Sequence, residues 1–161
     1  MHALDGREYC EATAFKDRDG ITVIAPLAER IGGPGRVMFG KPEVLNPSIN
    51  NITFGIATRK CLTMSSEQGK VSSQETLRAE QLPINMQDLA RLHYDCYTMS
   101  ITMWKDYGYE IKPWHRENGK AWMTTKEPTF TLPLDATDEQ LGEAIVKAFD
   151  YIDTHFGFEK K

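Results

Sequence analysis

The chain lacks the features that would take it out of the cell or into a membrane. None of its uncharged runs approaches the roughly 20 apolar residues that a transmembrane helix needs. Its first residues, MHALDGREYC, contain no basic segment followed by an apolar one, so they do not have the pattern of a secretory signal. The 3 cysteines are an odd number without C-x-x-C spacing, which is typical of reduced thiols. We therefore expect a cytoplasmic protein.

The chain also has no excess of basic residues. It carries 19 lysines and arginines against 23 aspartates and glutamates, which gives a net charge of −4. Proteins that bind nucleic acids directly usually present a basic surface, because contacts to phosphates dominate their affinity. The composition therefore argues against direct nucleic-acid binding, whereas an acidic protein can still bind a basic partner.

No catalytic or metal-binding motif is present in the sequence. His93 and Cys96 could lie on one side of a helix, but two ligands do not make a metal site. The run IGGPGR at 31–36 lacks the Lys-Ser/Thr pair of a phosphate-binding loop, and a turn that leads into a strand explains it better. The serines at 65–66 and 72–73 lie outside any Gly-x-Ser-x-Gly motif. We expect no metal, no cofactor and no catalysis; an enzyme whose site is assembled from distant loops is the alternative.

An amphipathic helix is predicted near the end of the chain. Apolar residues recur from Leu141 to Ile152 at intervals of three and four, which places them on one side of a helix. Thr137 and Gln140 form a capping box at its start. The preceding PTFTLPL at 128–134 alternates apolar and polar residues between two prolines, which predicts a short or edge strand.

The same order of elements is predicted earlier in the chain. A short extended segment at 43–51 precedes a second amphipathic helix over 51–62. Gly55 occupies the same position in this helix as Gly142, 87 residues later, does in the other. Because glycine costs about 1 kcal/mol relative to alanine inside a helix, its repetition indicates that each helix packs closely on the sheet or on the other helix.

Each of these strand and helix pairs follows a predicted β-hairpin. Residues 9–24 contain two strands around the turn DRDG, and residues 97–111 contain two strands around KDYG. Each half of the chain therefore consists of a hairpin, a strand and a helix. Either the halves form a pseudo-symmetric repeat over 8–65 and 96–156, or common elements recur by chance.

These patterns predict an α+β fold. We expect a single domain over residues 1–161, mainly an antiparallel sheet with helices packed on it. A polar linker at 67–83 and a short helix at 85–95 are predicted between the two halves.

All 3 tryptophans lie close together in the sequence, at Trp104, Trp114 and Trp122. Tryptophan is over-represented at binding hot spots, because it buries a large area and keeps a polar group. It also anchors cores and covers sheet edges. The strand pattern favours a core role for Trp104, whereas a position in or beside a polar loop favours a binding role for Trp114 and Trp122.

The sequence LPLDATDEQLGEAIVKAF resembles the end of one family of contact-dependent growth inhibition (CDI) immunity proteins. In that family a similar glycine-containing helix follows an earlier extended segment, as VLNPSINNITFGIATRKCL does here. The first hairpin, GGPGRVMFG and the second hairpin also occur in the family's order, so the resemblance covers most of the chain. It departs from the family at Phe54, where leucine is expected, and at 67–83, which matches no part of the pattern.

The resemblance implies a bacterial, cytoplasmic antidote. Such a protein binds the C-terminal toxin domain that a neighbouring cell delivers, and blocks its active site or substrate face without catalysis. These toxins are commonly nucleases, so the implied partner has a basic face that an acidic protein would complement. The alternative is a non-catalytic α+β module that binds a small molecule or another protein.

The resemblance supplies no shared set of contact residues. We expect the toxin to bind at the second hairpin, at the loop after it and at acids of the polar linker. Reversing the charge of two of these acids should weaken binding more than reversal at Asp150 and Asp153, which lie on the polar side of the last helix. The expected contact residues are Asp106, Tyr107, Glu110, Trp114, Glu117, Trp122, Glu75 and Glu80.

Overall fold

The structure, a computed structural model, describes residues 1–84, 95–115 and 128–158. Within these ranges, two α-helices pack on one sheet of eight strands in which every pairing between strands is antiparallel. The predicted α+β fold is therefore confirmed. The short helix predicted at 85–95 lies, except for its last residue, outside the described residues.

The elements follow the order expected from the sequence. The strands are β1 (His2–Leu4), β2 (Arg7–Asp17), β3 (Thr22–Glu29), β4 (Arg36–Met38), β5 (Glu43–Leu45), β6 (Cys96–Trp104), β7 (Gly108–Trp114) and β8 (Phe130–Leu132). The helices are α1 (Asn51–Glu67) and α2 (Asp138–His155), and a 3-10 helix (Ala79–Gln81) follows α1.

The two predicted hairpins, β2–β3 and β6–β7, meet at the centre of the sheet. The strand order is β4-β3-β2-β6-β7-β8, and β1 and β5 pair with β2 and β3 respectively. Strands β2 and β6 pair along nine positions, from Tyr9 opposite Trp104 to Asp17 opposite Cys96. The long central pairing makes the two halves of the chain one sheet.

One face of the sheet forms the core with the helices. Tyr97, Met99 and Ile101 alternate along β6 and are buried together with Ile145 and Phe149 of α2. Because side chains alternate between the faces of a strand, Thr98, Ser100 and Thr102 lie on the opposite face.

Helix α2 begins and ends as its sequence predicts. The Thr137 hydroxyl accepts the Gln140 N–H at 3.2 Å, and the Gln140 side chain accepts the Thr137 N–H at 2.9 Å, so the capping box is confirmed. At the other end, the N–H groups of Phe156 and Gly157 both donate to the Ile152 carbonyl at 2.9 Å. Gly157 has a φ of 65°, a left-handed conformation that commonly ends helices.

The two helices cross at the repeated glycines. A Cβ atom on Gly55 would lie 1.9 Å from the carbonyl oxygen of Asp138, and one on Gly142 would lie 1.8 Å from that of Asn51. Asp138 and Asn51 are the first residues of α2 and α1. Each glycine therefore receives the start of the other helix, which confirms the predicted close packing. The internal repeat stays a prediction that this reciprocal contact supports.

Arg59 holds the same crossing together from the side of α1. Its Nε donates to Asp138 at 2.5 Å and its Nη1 donates to the Tyr109 hydroxyl at 2.5 Å. Its remaining nitrogen donates to the Ala136 carbonyl. One guanidinium thus joins α1, the start of α2 and strand β7.

Ser65 joins the end of α1 to two strands. Its hydroxyl donates to the Leu27 carbonyl at 2.7 Å and accepts the Glu11 N–H at 3.0 Å. Leu27 and Glu11 lie opposite each other in β3 and β2, and Ser65 is fully buried. The hydroxyl therefore satisfies one donor and one acceptor that have little access to water.

Replacing Ser65 by alanine is expected to lower the free energy of unfolding by about 2 kcal/mol, because two buried backbone groups lose a hydrogen-bond partner. Urea unfolding monitored by circular dichroism measures the change. The matched control is Ser66→Ala, since this exposed hydroxyl bonds the Thr63 carbonyl of its own helix, and its effect should stay within about 0.5 kcal/mol. Equal stabilities of the two variants would contradict the bridging role of Ser65.

Candidate partner-binding face

The face of the sheet opposite the helices is rich in polar side chains, and we call it the polar face. It is formed by alternate residues of the three central strands, which lie side by side in the register of the sheet. These residues are Glu11, Thr13, Thr98, Ser100, Thr102, Glu110, Lys112 and Trp114.

The chain segment after α1 covers part of the polar face. Leu77, Ala79, Leu82 and Ile84 pack with Phe15 and other apolar residues of the sheet. Backbone hydrogen bonds fix the segment: the Leu77 N–H donates to Met38 at 2.7 Å, and Val71 exchanges two bonds of 2.9 Å with Glu29 and Ile31. The predicted linker is therefore fastened to the sheet along its length.

A cleft of about 970 Å³ lies between this segment, the turn before β4 and the polar face. Thr98 and Ser100 lie in its floor, and Trp114 borders it at β7. Three arginines border it at β3, β4 and the covering segment: Arg30, Arg36 and Arg78. The run at 31–36 thus forms a turn that leads into β4, as predicted.

An ion pair lies beside the floor of the cleft. Arg36 Nη1 is 2.5 Å from Glu11, and the guanidinium lies over the Tyr9 ring, 4.3 Å from its centre. Burial raises the pKa of Glu11 to about 7, while a hydrogen bond from Thr102 and the charge of Lys112 act in the opposite direction. Arg36 also favours the carboxylate. Removing either charge would leave its partner partly buried and uncompensated.

The other basic side chains of the cleft have weaker ion pairs than Arg36, or none among the described residues. Lys70 lies 3.9 Å from Glu29, at the limit of an ion pair. Arg30 and Arg78 are exposed, and within residues 1–84, 95–115 and 128–158 neither guanidinium has a carboxylate partner. The cleft is therefore lined by four basic side chains (Arg30, Arg36, Lys70 and Arg78) and three carboxylates (Glu11, Glu29 and Glu80), a small excess of positive charge on a protein whose net charge is negative.

A row of aromatic rings crosses the end of the polar face away from Trp114. The ring centres of Tyr9 and Trp104 are 5.0 Å apart, and those of Trp104 and Tyr107 are 5.8 Å apart and stacked. Trp104 therefore covers the sheet surface on the side opposite the helices, and not the core between sheet and helices.

The structure brings some of the expected contact residues together. Asp106 and Tyr107 are exposed in the β6–β7 turn, and the Tyr107 hydroxyl donates to Glu110. Burial favours the neutral form of Glu110, but this hydrogen bond and others outweigh it and lower its pKa. Glu110 also lies 3.4 Å from Lys112, so its charge is already partly balanced within the protein.

The remaining expected residues are divided between the cleft and other places. Trp114 and Glu80 both border the cleft. Glu75 is exposed and accepts the Ser72 N–H at 2.7 Å, so its carboxylate stabilises a turn. Glu117 and Trp122 lie outside the described residues.

Sequence reasoning missed the cleft and its arginines. Arg30 and Arg78 have no motif around them. The residues around Thr98 do not distinguish it from other threonines in predicted strands. The alternation along β6 identifies Thr98 and Ser100 as one face, but it does not show what covers that face.

The three cysteines are buried and free. Burial raises the pKa of Cys10 to about 11 and those of Cys61 and Cys96 to about 12, so the reactive thiolate is disfavoured. Among the described residues, no three His, Cys, Asp or Glu side chains are grouped as ligands of a metal ion. The described helices are also too short or too polar to cross a membrane.

Comparison with known proteins identifies a family. The family model described as CDI immunity protein matches residues 31–151. A protein of unknown function from Neisseria meningitidis has a similar structure, with a TM-score of 0.67 and 14% identity over 93% of this chain and 99% of that chain. A CdiA-CT/CdiI toxin and immunity complex from Yersinia pseudotuberculosis gives a TM-score of 0.61 and 12% identity over 89% and 97%. No curated protein matches the sequence.

Proposed function

We propose, since the chain belongs to the family of CDI immunity proteins, that it binds the toxin domain of its own CDI system and neutralises it in the cytoplasm. The toxin is a nuclease in this proposal, and the chain inhibits it by occupying its active site or substrate-binding face. The immunity protein itself performs no catalysis.

The match of the family model over residues 31–151 carries this proposal. A solved structure with a similar fold is described as a complex of a toxin and an immunity protein. The similarity of folds supports binding of a protein partner by this architecture, and the family supplies the kind of partner.

The polar face is the surface that we propose for the toxin. The helices occupy the opposite face of the sheet, so their buried residues are unavailable to a partner. The polar face carries the ring of Trp114, and exposed residues lie beside it: Glu80 on the covering segment, and Asp106 and Tyr107 in the β6–β7 turn. Aromatic anchors surrounded by charges are typical of protein interfaces, and acids would speed association with a basic nuclease.

The first experiment tests the function itself. We expect the chain to form a stable 1:1 complex with the toxin domain encoded directly upstream of it, measured by size-exclusion chromatography. The complex should also stop the toxin from cleaving total RNA or plasmid DNA. If the two proteins do not bind, the proposed function is wrong; if they bind and the toxin cleaves neither substrate when free, the nuclease assignment is wrong.

The second experiment tests the binding face. Glu80 and Asp106 are exposed, and the double variant Glu80→Lys/Asp106→Lys should weaken toxin binding at least about tenfold, because both charges then repel a basic partner. The matched control is Asp135→Lys/Asp150→Lys, which changes the net charge equally at two other exposed sites. The sequence-based control is Asp150 and Asp153. The present control keeps Asp150 and omits Asp153, because Asp153 accepts a hydrogen bond from Tyr97.

Calorimetric titration of each double variant with the toxin domain separates the outcomes. The control should bind within about threefold of the wild-type affinity, since a remote charge acts mainly through weak, screened interactions. Equal losses in both double variants would show that net charge matters and that this face is not the contact surface.

The cleft favours the second candidate function, a module that binds a small molecule. Its volume of about 970 Å³ is within the usual range for ligand pockets. This candidate replaces the first only if the chain fails to bind the upstream toxin.

A further inference from the structure

The two ends of the cleft have different chemistry. Arg30 and Arg36 lie at one end, where β3 ends and β4 begins, and the indole of Trp114 borders the other end. Arg78 lies between them on the covering segment, next to Leu77 and Ala79. A ligand that fills the whole cleft must therefore carry an anionic part and a flat or apolar part.

Two guanidinium groups of the cleft form no ion pair with a carboxylate of residues 1–84, 95–115 or 128–158. Arg36 is paired with Glu11, but Arg30 and Arg78 have no carboxylate partner in the part of the chain that the structure describes. A guanidinium offers several N–H donors in a planar fork, which matches a phosphate or a carboxylate. Two such groups along one cleft favour a ligand with more than one negative charge.

A hydroxyl group in the floor of the cleft also lacks a hydrogen-bond partner among the described residues. The Thr98 side chain is only 9% exposed, and its hydroxyl has no hydrogen-bond partner among the described residues. A buried hydroxyl without a partner costs free energy, so a group that reaches it from the cleft would gain a hydrogen bond. Thr98 lies opposite Trp114 in the sheet, which places this unsatisfied hydroxyl at the aromatic end.

The separation of the two ends sets the length of the ligand. In the register of the sheet, one row of paired residues crosses four strands: Trp114 in β7, Thr98 in β6, Phe15 in β2 and Val23 in β3. Glu29 is six residues further along β3 than Val23. Three strand spacings across and six residues along the strand place the backbones at the two ends roughly 24 Å apart. The long side chains of tryptophan and arginine reach into this distance, so an elongated ligand fits and a single inorganic anion does not span it.

We propose that the cleft binds a nucleotide, with its base against Trp114, a polar group of the base or sugar at Thr98, and its phosphates at Arg30 and Arg78. The base can stack on the indole of Trp114, because every base has a flat face. The phosphates can accept hydrogen bonds from the guanidinium groups of Arg30 and Arg78. This site lies on the same face of the sheet as the proposed toxin contact and shares Trp114 with it, but nucleotide binding is testable without any toxin.

Isothermal titration of the full chain tests the ligand class with ATP, pyrophosphate and adenosine as probes. ATP should bind saturably and at least about tenfold more tightly than either fragment, because only ATP reaches both ends of the cleft. Absence of saturable ATP binding overturns the proposal. Equal affinities for ATP and pyrophosphate overturn the contact between the base and Trp114.

Variants locate the site. Arg30→Gln/Arg78→Gln should weaken ATP binding by about tenfold or more, and Trp114→Ala should do the same while Trp114→Phe retains part of the affinity. The matched control is Lys41→Gln/Lys147→Gln, which removes two exposed positive charges away from the cleft. ATP affinity that falls equally in the control and in the arginine variant would overturn the assignment to this cleft. Near-UV circular dichroism confirms that each variant is folded.

Discussion

Replacing Gly142 by alanine is expected to lower the free energy of unfolding by about 3 kcal/mol, the upper part of the range for overpacked sites. The new Cβ would lie 1.8 Å from the carbonyl oxygen of Asn51, a backbone atom that can move only with its helix. Helix propensity alone predicts the opposite sign, since alanine is favoured over glycine by about 1 kcal/mol inside a helix. The sign of the change therefore decides between packing and propensity.

Urea unfolding of Gly142→Ala, Gly55→Ala and the double variant measures this effect. Gly55→Ala should destabilise in the same way, because its Cβ would lie 1.9 Å from the Asp138 carbonyl oxygen. The double variant should lose less than the sum of the single losses, since helices already separated by one methyl group accommodate the second. The matched control is Gly69→Ala, where a Cβ meets no atom within 4 Å. A Gly142→Ala protein that is more stable than the wild type would contradict the close crossing.

Replacing Arg59 by methionine is also expected to cost about 3 kcal/mol, because hydrogen bonds to charged groups contribute more than neutral ones. Methionine keeps an unbranched apolar stem and removes all three contacts, to Asp138, Tyr109 and the Ala136 carbonyl. The Ala136 carbonyl belongs to a buried residue and would lose this donor. Arg59→Lys should recover only part of the loss, because an ammonium cannot serve three acceptors with the geometry of a guanidinium.

The neighbouring residue provides the control for Arg59. Lys60 is also on α1 and pairs with Glu43, but its side chain is 62% exposed. Lys60→Met should therefore change the stability much less than Arg59→Met does, because exposed ion pairs contribute little. Thermal and urea unfolding compare the two variants directly, and similar losses for both would show that the Arg59 contacts do not fasten the helices.

The helices and hairpins were predictable because their signals are local. Thr137 and Gln140 lie three residues apart, and the apolar residues from Leu141 to Ile152 repeat within a single helix. The repeated glycines predicted close packing, but the partner of each glycine was open until the structure showed the other helix. Local patterns thus define elements, whereas contacts between elements distant in the sequence decide how they fit.

The cleft could not be predicted for the same reason. Its edges join Arg30, Arg78 and Trp114, which are far apart in the sequence, and backbone hydrogen bonds help to hold the covering segment on the sheet. Backbone groups are identical in every residue, so such bonds leave no sequence signature. Two of the expected contact residues nevertheless border this cleft: Trp114, expected from the second hairpin and the loop after it, and Glu80, expected as an acid of the polar linker.

The pairing of β2 with β6 determines when a newly made chain can fold. The residues paired in these strands are 79 to 95 positions apart, so a long loop must close before the centre of the sheet forms. Until the ribosome has released β6, the edge of β2 has no partner and can pair with another chain. Such non-local contacts make folding slow compared with that of helical proteins. The closure of this loop therefore sets the earliest time after synthesis at which the central sheet, and with it the polar face, can form.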